Sequence, residues 1–194
     1  MKPAVLPEDL RAALTTFERA GGVVEHFVFE VGAEPDPHMT ATLEAFALLR
    51  AKLEPSVLTL EPERVASQPI TRAAFLGEMH TGMGVLHSPG AFLHAQEESM
   101  RRYQSFSTTP GGGYLMAFSD PPYGLQLSAD DAQTLFETIR DHFFPETADF
   151  EIRAFTTDWS NYFDAGLEWW GAHWWTVLHR AKGLIAVIAA SSTD

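Results

Sequence analysis

The stretch that most constrains how this chain can fold runs from Asp158 to Ala190. All five tryptophans fall between Trp159 and Trp175, and LHRAKGLIAVIAA follows them. The pattern predicts a hairpin with one strand over 169–179, a turn over Arg180 to Gly183 and a return strand over 184–190. A turn closing on Gly183 is sensible because the last loop position of a short hairpin often needs positive φ, which glycine adopts without strain. His179 then opposes Leu184, Val177 opposes Ala186, Trp175 opposes Ile188, His173 opposes Ala190 and Trp174 opposes Ala189. Large residues meet small or aliphatic ones, the complementarity on which cross-strand pairs depend. Leu184, Ala186 and Ile188 alternate with Ile185, Val187 and Ala189, so the return strand is apolar on both faces. A strand of that kind is covered on both sides, which puts the hairpin in the middle of a sheet.

The remaining segments read as pairing partners and covering. PEDLRAALTTFERA (7–20) predicts a helix, with Pro7 at its start, Glu8 and Asp9 at the positive end, and Leu10, Leu14 and Phe17 in one stripe. Gly21-Gly22 stop it. Residues 23–31 predict a strand with Val23, Phe27, Phe29 and Val31 on one face, which Glu25 shares. Asp36-Pro37 opens a helix running to about Leu53, with Leu43, Phe46, Ala47 and Leu53 inward. SVLTLE (56–61) suggests a short strand, 70–79 a helical segment, 84–87 a short strand within a loop, and 90–104 a helix. STTPGGG (107–113) suggests a flexible turn. YLMAFS (114–119) is expected to be a strand with YGLQLS (123–128) as its partner. Ser128 and Asp131 cap a helix over 129–143 with Leu135, Phe136, Ile139 and Phe143 inward. Residues 149–157 alternate as a strand. The expected fold is α+β: a single domain over 1–194, mostly an antiparallel sheet with a C-terminal central hairpin (169–179/184–190), covered by about four or five helices.

Charge and composition narrow the function. Twenty-six acids against 13 bases give a net charge of −13. Such a field disfavours nucleic acid, whose binding depends on phosphate neutralisation, and speeds encounter with a basic partner. There is no cysteine, which excludes disulfides and thiolate metal sites and suits a reducing, cytoplasmic setting. The opening MKPAVLPEDLRAAL carries no signal-peptide or anchor pattern. No window approaches the roughly 18 apolar residues of a membrane helix, so no membrane role is expected.

Asp120-Pro121-Pro122-Tyr123, after the apolar run 114–119, resembles the DPPY tetrapeptide of adenine-N6 amino-methyltransferases. That resemblance implies that the Asp and a proline carbonyl hold a target amine, and it calls for a glycine-rich cofactor loop straight after a strand. Gly82-Met83-Gly84 and Gly111-Gly112-Gly113, the nearest candidates, do not follow one. Asp-Pro-Pro is equally good chemistry for a turn, and the turn is the reading adopted. His80, His87 and His94 recur every seven residues with Glu97 and Glu98 after them. Glycines and a proline interrupt any helix that could gather them, so no metal is expected. Asp158, Ser160, Tyr162 and Asp164 alternate as in a calcium loop, but Phe163 and Trp169 stand where such a loop needs Gly and Glu. Nucleophile-elbow, phosphate-loop and dinucleotide signatures are absent, and no cofactor is expected.

An aromatic-acidic cluster remains: Trp159, Asn161, Tyr162, Asp164, Glu168, Trp169, Trp170 and His173. Trp and Tyr beside carboxylates suit a cation, a sugar ring or an Arg/Lys-rich protein surface. The structural alternative, which the high average burial of Trp favours, is that these rings are core, with Glu168 and Asp164 pairing locally. The expected ligand- or partner-binding residues are Trp159, Tyr162, Asp164, Glu168, Trp169 and His173. The function expected first is a non-enzymatic binding protein that engages a basic protein partner, in the manner of a toxin-neutralising immunity protein. Self-association is a further expectation. The alternative is an enzyme on a small polar or sugar-like substrate, with Asp164, Glu168 and His173 in acid/base roles.

Overall fold

The computed structural model describes residues 1–53, 58–82, 84–102, 104, 113–146, 149–164, 166 and 171–191. At its centre His173–His179 (β7) and Leu184–Ala190 (β8) form the expected hairpin, with every anticipated pair in register, from His179 opposite Leu184 to His173 opposite Ala190. Residues 169 and 170 of the expected strand lie outside the described residues. Outward from β8 come Val24–Glu30 (β2) and the two-residue Lys2–Pro3 (β1); outward from β7 come Glu151–Phe155 (β6) and Ser67–Ile70 (β3). All neighbours are antiparallel. The hairpin occupies the two middle places of a six-stranded sheet.

Gly183 ends the hairpin turn at φ 60 and ψ 35. A Cβ placed there would meet nothing within 4 Å, so any penalty is conformational. Gly183→Ala is expected to cost about 1–2 kcal/mol. It should appear as a lower urea midpoint with an unchanged denaturant slope, and an unshifted midpoint would contradict the strain.

The two faces of the sheet are covered unequally. On one face lie Glu8–Arg19 (α1), Arg72–Leu76 (α3), Pro89–Arg101 (α4), Gly113–Ser119 (α5) and Ala129–Phe143 (α6). They pack around Val24, Ile152, Trp175, Val177, Ala186 and Ile188. On the other face, Pro37–Lys52 (α2) and the loops near residues 58–65 and 159–163 cover Phe29, Trp174, Leu178, Ile185 and Val187. Glu25 lies on that second face because Lys52, at the end of α2, reaches it at 2.8 Å. The caps form as the sequence implies: Asp36 accepts the amides of His38 and Met39, and Ser128 accepts that of Asp131 at 3.1 Å.

Several expectations need correction. The run 114–119 is helical, not a strand: it falls within α5, and each of its residues is buried. A segment surrounded on all sides shows no period, so its apolar run does not tell helix from strand. Tyr114 at its start packs against Phe75, Phe118, Phe136, Phe144 and Trp175. Residues 123–128 therefore pair with no strand. Asp120-Pro121-Pro122-Tyr123 is a turn, closed by the Gly124 amide on the Pro121 carbonyl at 2.8 Å, and it follows a helix where the methyltransferase pattern needs a strand.

Helix α2 buries Ala41, Thr42, Ala45, Phe46 and Leu49, whereas Leu43, Ala47 and Leu53 are exposed. Apolar residues on every side of α2 left its period without a preferred face, and small Ala41 and Ala45 are what allow close approach to the sheet. Strand β3 was not anticipated because Pro69 argues against a strand except at an edge, which is where β3 lies. Met79–Thr81 (β4) and Gly84–Leu86 (β5) form a small separate hairpin, of which only the second strand was expected. Residues 58–60 take no regular structure, while 56, 57 and 107–112 lie outside the described residues.

Candidate functional site

The loop between β6 and β7 is anchored before it is displayed. Trp159 is fully buried, its indole N–H donating to the Thr156 carbonyl. Its ring meets Trp174 edge-on at 5.2 Å and Phe163 at 4.8 Å. The Ser160 hydroxyl accepts the Tyr162 amide at 3.1 Å, and Ser191 donates to the Tyr162 carbonyl at 2.8 Å. Asn161 ties this loop to the one before β3: its side-chain oxygen accepts from the Thr59 amide at 2.8 Å and from the Thr59 hydroxyl at 3.1 Å. The Glu61 amide donates to the Trp159 carbonyl at 2.8 Å. Two irregular segments are thus joined side by side by backbone and amide bonds, with aromatic rings inward and polar groups outward.

Between them lies an open groove of about 410 Å³, lined by Thr59, Glu61, Arg64, Asp158, Asn161 and Asp164 among others. Arg64 is its only basic lining residue among the described ones; it pairs with Glu61 at 3.1 Å and lies 3.7 Å from Asp158. Asp164 is exposed.

The expected site residues are distributed as follows. Trp159 and Tyr162 are core, packed with Trp174 on the α2 face of the sheet. Burial, with the Glu25 carboxylate adding to it, holds the Tyr162 phenol above its ordinary pKa. Asp164 lines the groove. His173 is half-buried and stacks on Trp175 at 4.6 Å, on the opposite face of the sheet from Trp174. Glu168 and Trp169 lie outside the described residues. His80, His87 and His94, spaced evenly in sequence, are exposed on β4, ahead of α4 and on α4 respectively.

A second polar group, which no sequence pattern marks, lies under α2. Buried His38 meets the Thr176 hydroxyl at 2.7 Å, and its other ring nitrogen lies 3.3 Å from Glu151, without hydrogen-bond geometry. Glu151 also accepts from Arg153 at 3.1 Å and Arg180 at 2.9 Å. Burial lowers the His38 pKa although Glu151 opposes it. Burial raises that of Glu151, but the two arginines outweigh it and leave the carboxyl below its ordinary range. Thr176 is fully buried, so this arrangement fastens α2 to the sheet and offers no nucleophile to solvent. No spacing in sequence joins residues 38, 151 and 176; the pairing of β6 with β7 and the packing of α2 on the sheet do.

Comparison with protein-family models, with characterised proteins and with solved structures gives no match.

Proposed function

We propose that this protein is a non-enzymatic binding protein whose acidic surface takes up a basic protein partner at the groove between residues 59–64 and 157–164. The observation that carries the reading is that groove. Glu61, Asp158 and Asp164 face one opening beside the Arg64 guanidinium, on loops whose shape is held by Trp159 and Asn161. A preformed row of carboxylates gains a Lys or Arg side chain at little ordering cost. The net charge of −13 adds long-range attraction, which speeds encounter and weakens with salt. The cysteine-free chain suits a cytoplasmic partner of the immunity-protein kind.

Oligo-arginine peptide serves as the probe. Removing the groove charge in Asp158→Asn with Asp164→Asn should weaken its binding about tenfold at low salt, since each exposed pair contributes up to about 1 kcal/mol. Removing the same charge on α6, in Asp130→Asn with Glu137→Gln, should change it by less than about threefold. Equal losses from both double variants would mean that the peptide reads net charge alone, and the groove assignment would fall.

A further inference from the structure

The sheet face opposite that groove holds a cavity of about 150 Å³ between the turn end of the hairpin, residues 4–10 and the end of α6. Its lining is mainly apolar: Val28, Val177 and Ala186 from the sheet, Leu10 from α1 and Phe143 from α6. His179 also lines it. That side chain is 7% exposed, and neither ring nitrogen has a hydrogen-bond partner among the described residues. Buried polar groups are almost always paired, and leaving a donor and an acceptor unmade is costly. Lys182, an exposed turn residue, stands at the rim. His142 is at the mouth, held by Asp9 at 2.9 Å. Burial and the Lys182 charge lower the His179 pKa against the pull of Asp149. The imidazole is therefore neutral near pH 7, with one N–H to donate.

We infer that this cavity binds a small monocarboxylic acid with a compact apolar body. The body lies against Val28, Phe143 and Val177, and the carboxylate accepts the His179 N–H while facing Lys182. Size supports the class, because an apolar cavity of about 150 Å³ accommodates a benzene-sized group. Charge supports it too, because a lysine beside an unpartnered donor favours an anion at this point of an otherwise acidic protein. The inference goes beyond the partner reading and shares no residue with it.

The test is calorimetric titration of the full chain with benzoate, benzyl alcohol, benzylamine and acetate. Benzoate should bind saturably, at least about tenfold tighter than benzylamine, which carries the opposite charge, and than acetate, which lacks the body. Lys182 lies in an exposed turn, so Lys182→Glu should leave the fold intact. It should weaken benzoate about fivefold and leave benzyl alcohol unchanged. His179→Leu should weaken benzoate about tenfold or more. Should that variant fail to fold, the ligand series and Lys182→Glu decide the matter. No saturable benzoate binding, benzylamine binding as tightly as benzoate, or benzoate affinity indifferent to Lys182→Glu would each overturn the assignment.

Discussion

Trp174→Ala is expected to lower folding stability by about 3–5 kcal/mol, the range for truncating a large aromatic in a packed core. The ring is 1% exposed and meets Trp159 at 5.2 Å, Phe163 at 6.1 Å and Tyr162 at 6.3 Å, all close to edge-on. Its N–H donates to the Thr42 hydroxyl at 3.2 Å, joining the sheet to α2. Truncation removes the ring that Trp159, Tyr162 and Phe163 of the β6–β7 loop pack against and leaves the buried Thr42 hydroxyl without its donor. Since domains of this size are stable by about 5–15 kcal/mol, the loss is a large share of the total. Trp174→Phe keeps most of the packing and should cost about 1–2 kcal/mol, chiefly the lost hydrogen bond and residual space. Leu43→Ala, on the exposed side of α2, should stay within about 0.5 kcal/mol. Urea unfolding followed by far-UV circular dichroism checks all three without relying on tryptophan fluorescence. A Trp174→Ala cost below about 1 kcal/mol would show that this ring is not central to the core.

Acid should destabilise the protein well above the range where carboxylates titrate, and His26 should be the largest single cause. On β2, His26 lies between Phe143, stacked at 5.5 Å, and Phe17, edge-on at 6.2 Å, with its Nε2 3.0 Å from the Tyr114 hydroxyl. Burial lowers its pKa from 6.5 to about 3. The unfolded chain therefore binds the proton first. The stabilisation from a neutral His26 is complete above pH 6.5 and is lost as pH falls from there towards about 3.

Each pKa unit corresponds to about 1.4 kcal/mol. His26 is only half-buried, however, and borders a cleft of about 190 Å³ that Arg11, Glu18 and Glu25 also line. His26 is thus partly open to that cleft, so the full depression is an upper limit. A loss of about 2 kcal/mol between pH 6.5 and about 4 is the expected size. His38 and His179 are depressed by burial as well and add to the same slope. His26→Gln keeps a hydrogen-bonding group for Tyr114 but does not titrate, so it should flatten most of that segment of the stability–pH curve. Parallel curves for the wild type and His26→Gln would assign the acid sensitivity elsewhere.

Much of the architecture could be read from residue order because it rests on local chemistry. Gly183 fixes the turn, the turn fixes the register of β7 on β8, and the two apolar faces of β8 place the hairpin in the middle of the sheet. The ends of α1 and α6 follow in the same way from Glu8-Asp9, Gly21-Gly22 and Ser128. The reading failed where burial is complete or apolar residues lie all round. In α5, Tyr114 to Phe118 carry no polar position to mark a period, and in α2 Leu43, Ala47 and Leu53 imitate an inward face. The cluster near Trp159 was also only half legible. An aromatic-acidic stretch shows that rings and carboxylates are close along the chain, but not that Trp159 and Tyr162 turn inward and Asp158 and Asp164 outward.

What the sequence determined by itself, then, is what depends on neighbours a few residues away: caps, turns, the hairpin register and the two-sided apolar strand. Tertiary structure alone decided which groups meet across long separations. It set His38 on Thr176 and Glu151, His26 on Tyr114, and His179 in a cavity with Val28 and Phe143. The physical reason is that a side chain's chemistry is set by the medium and the partners around it. Those are supplied by strand pairing and helix packing, which bring together residues that no spacing along the chain relates.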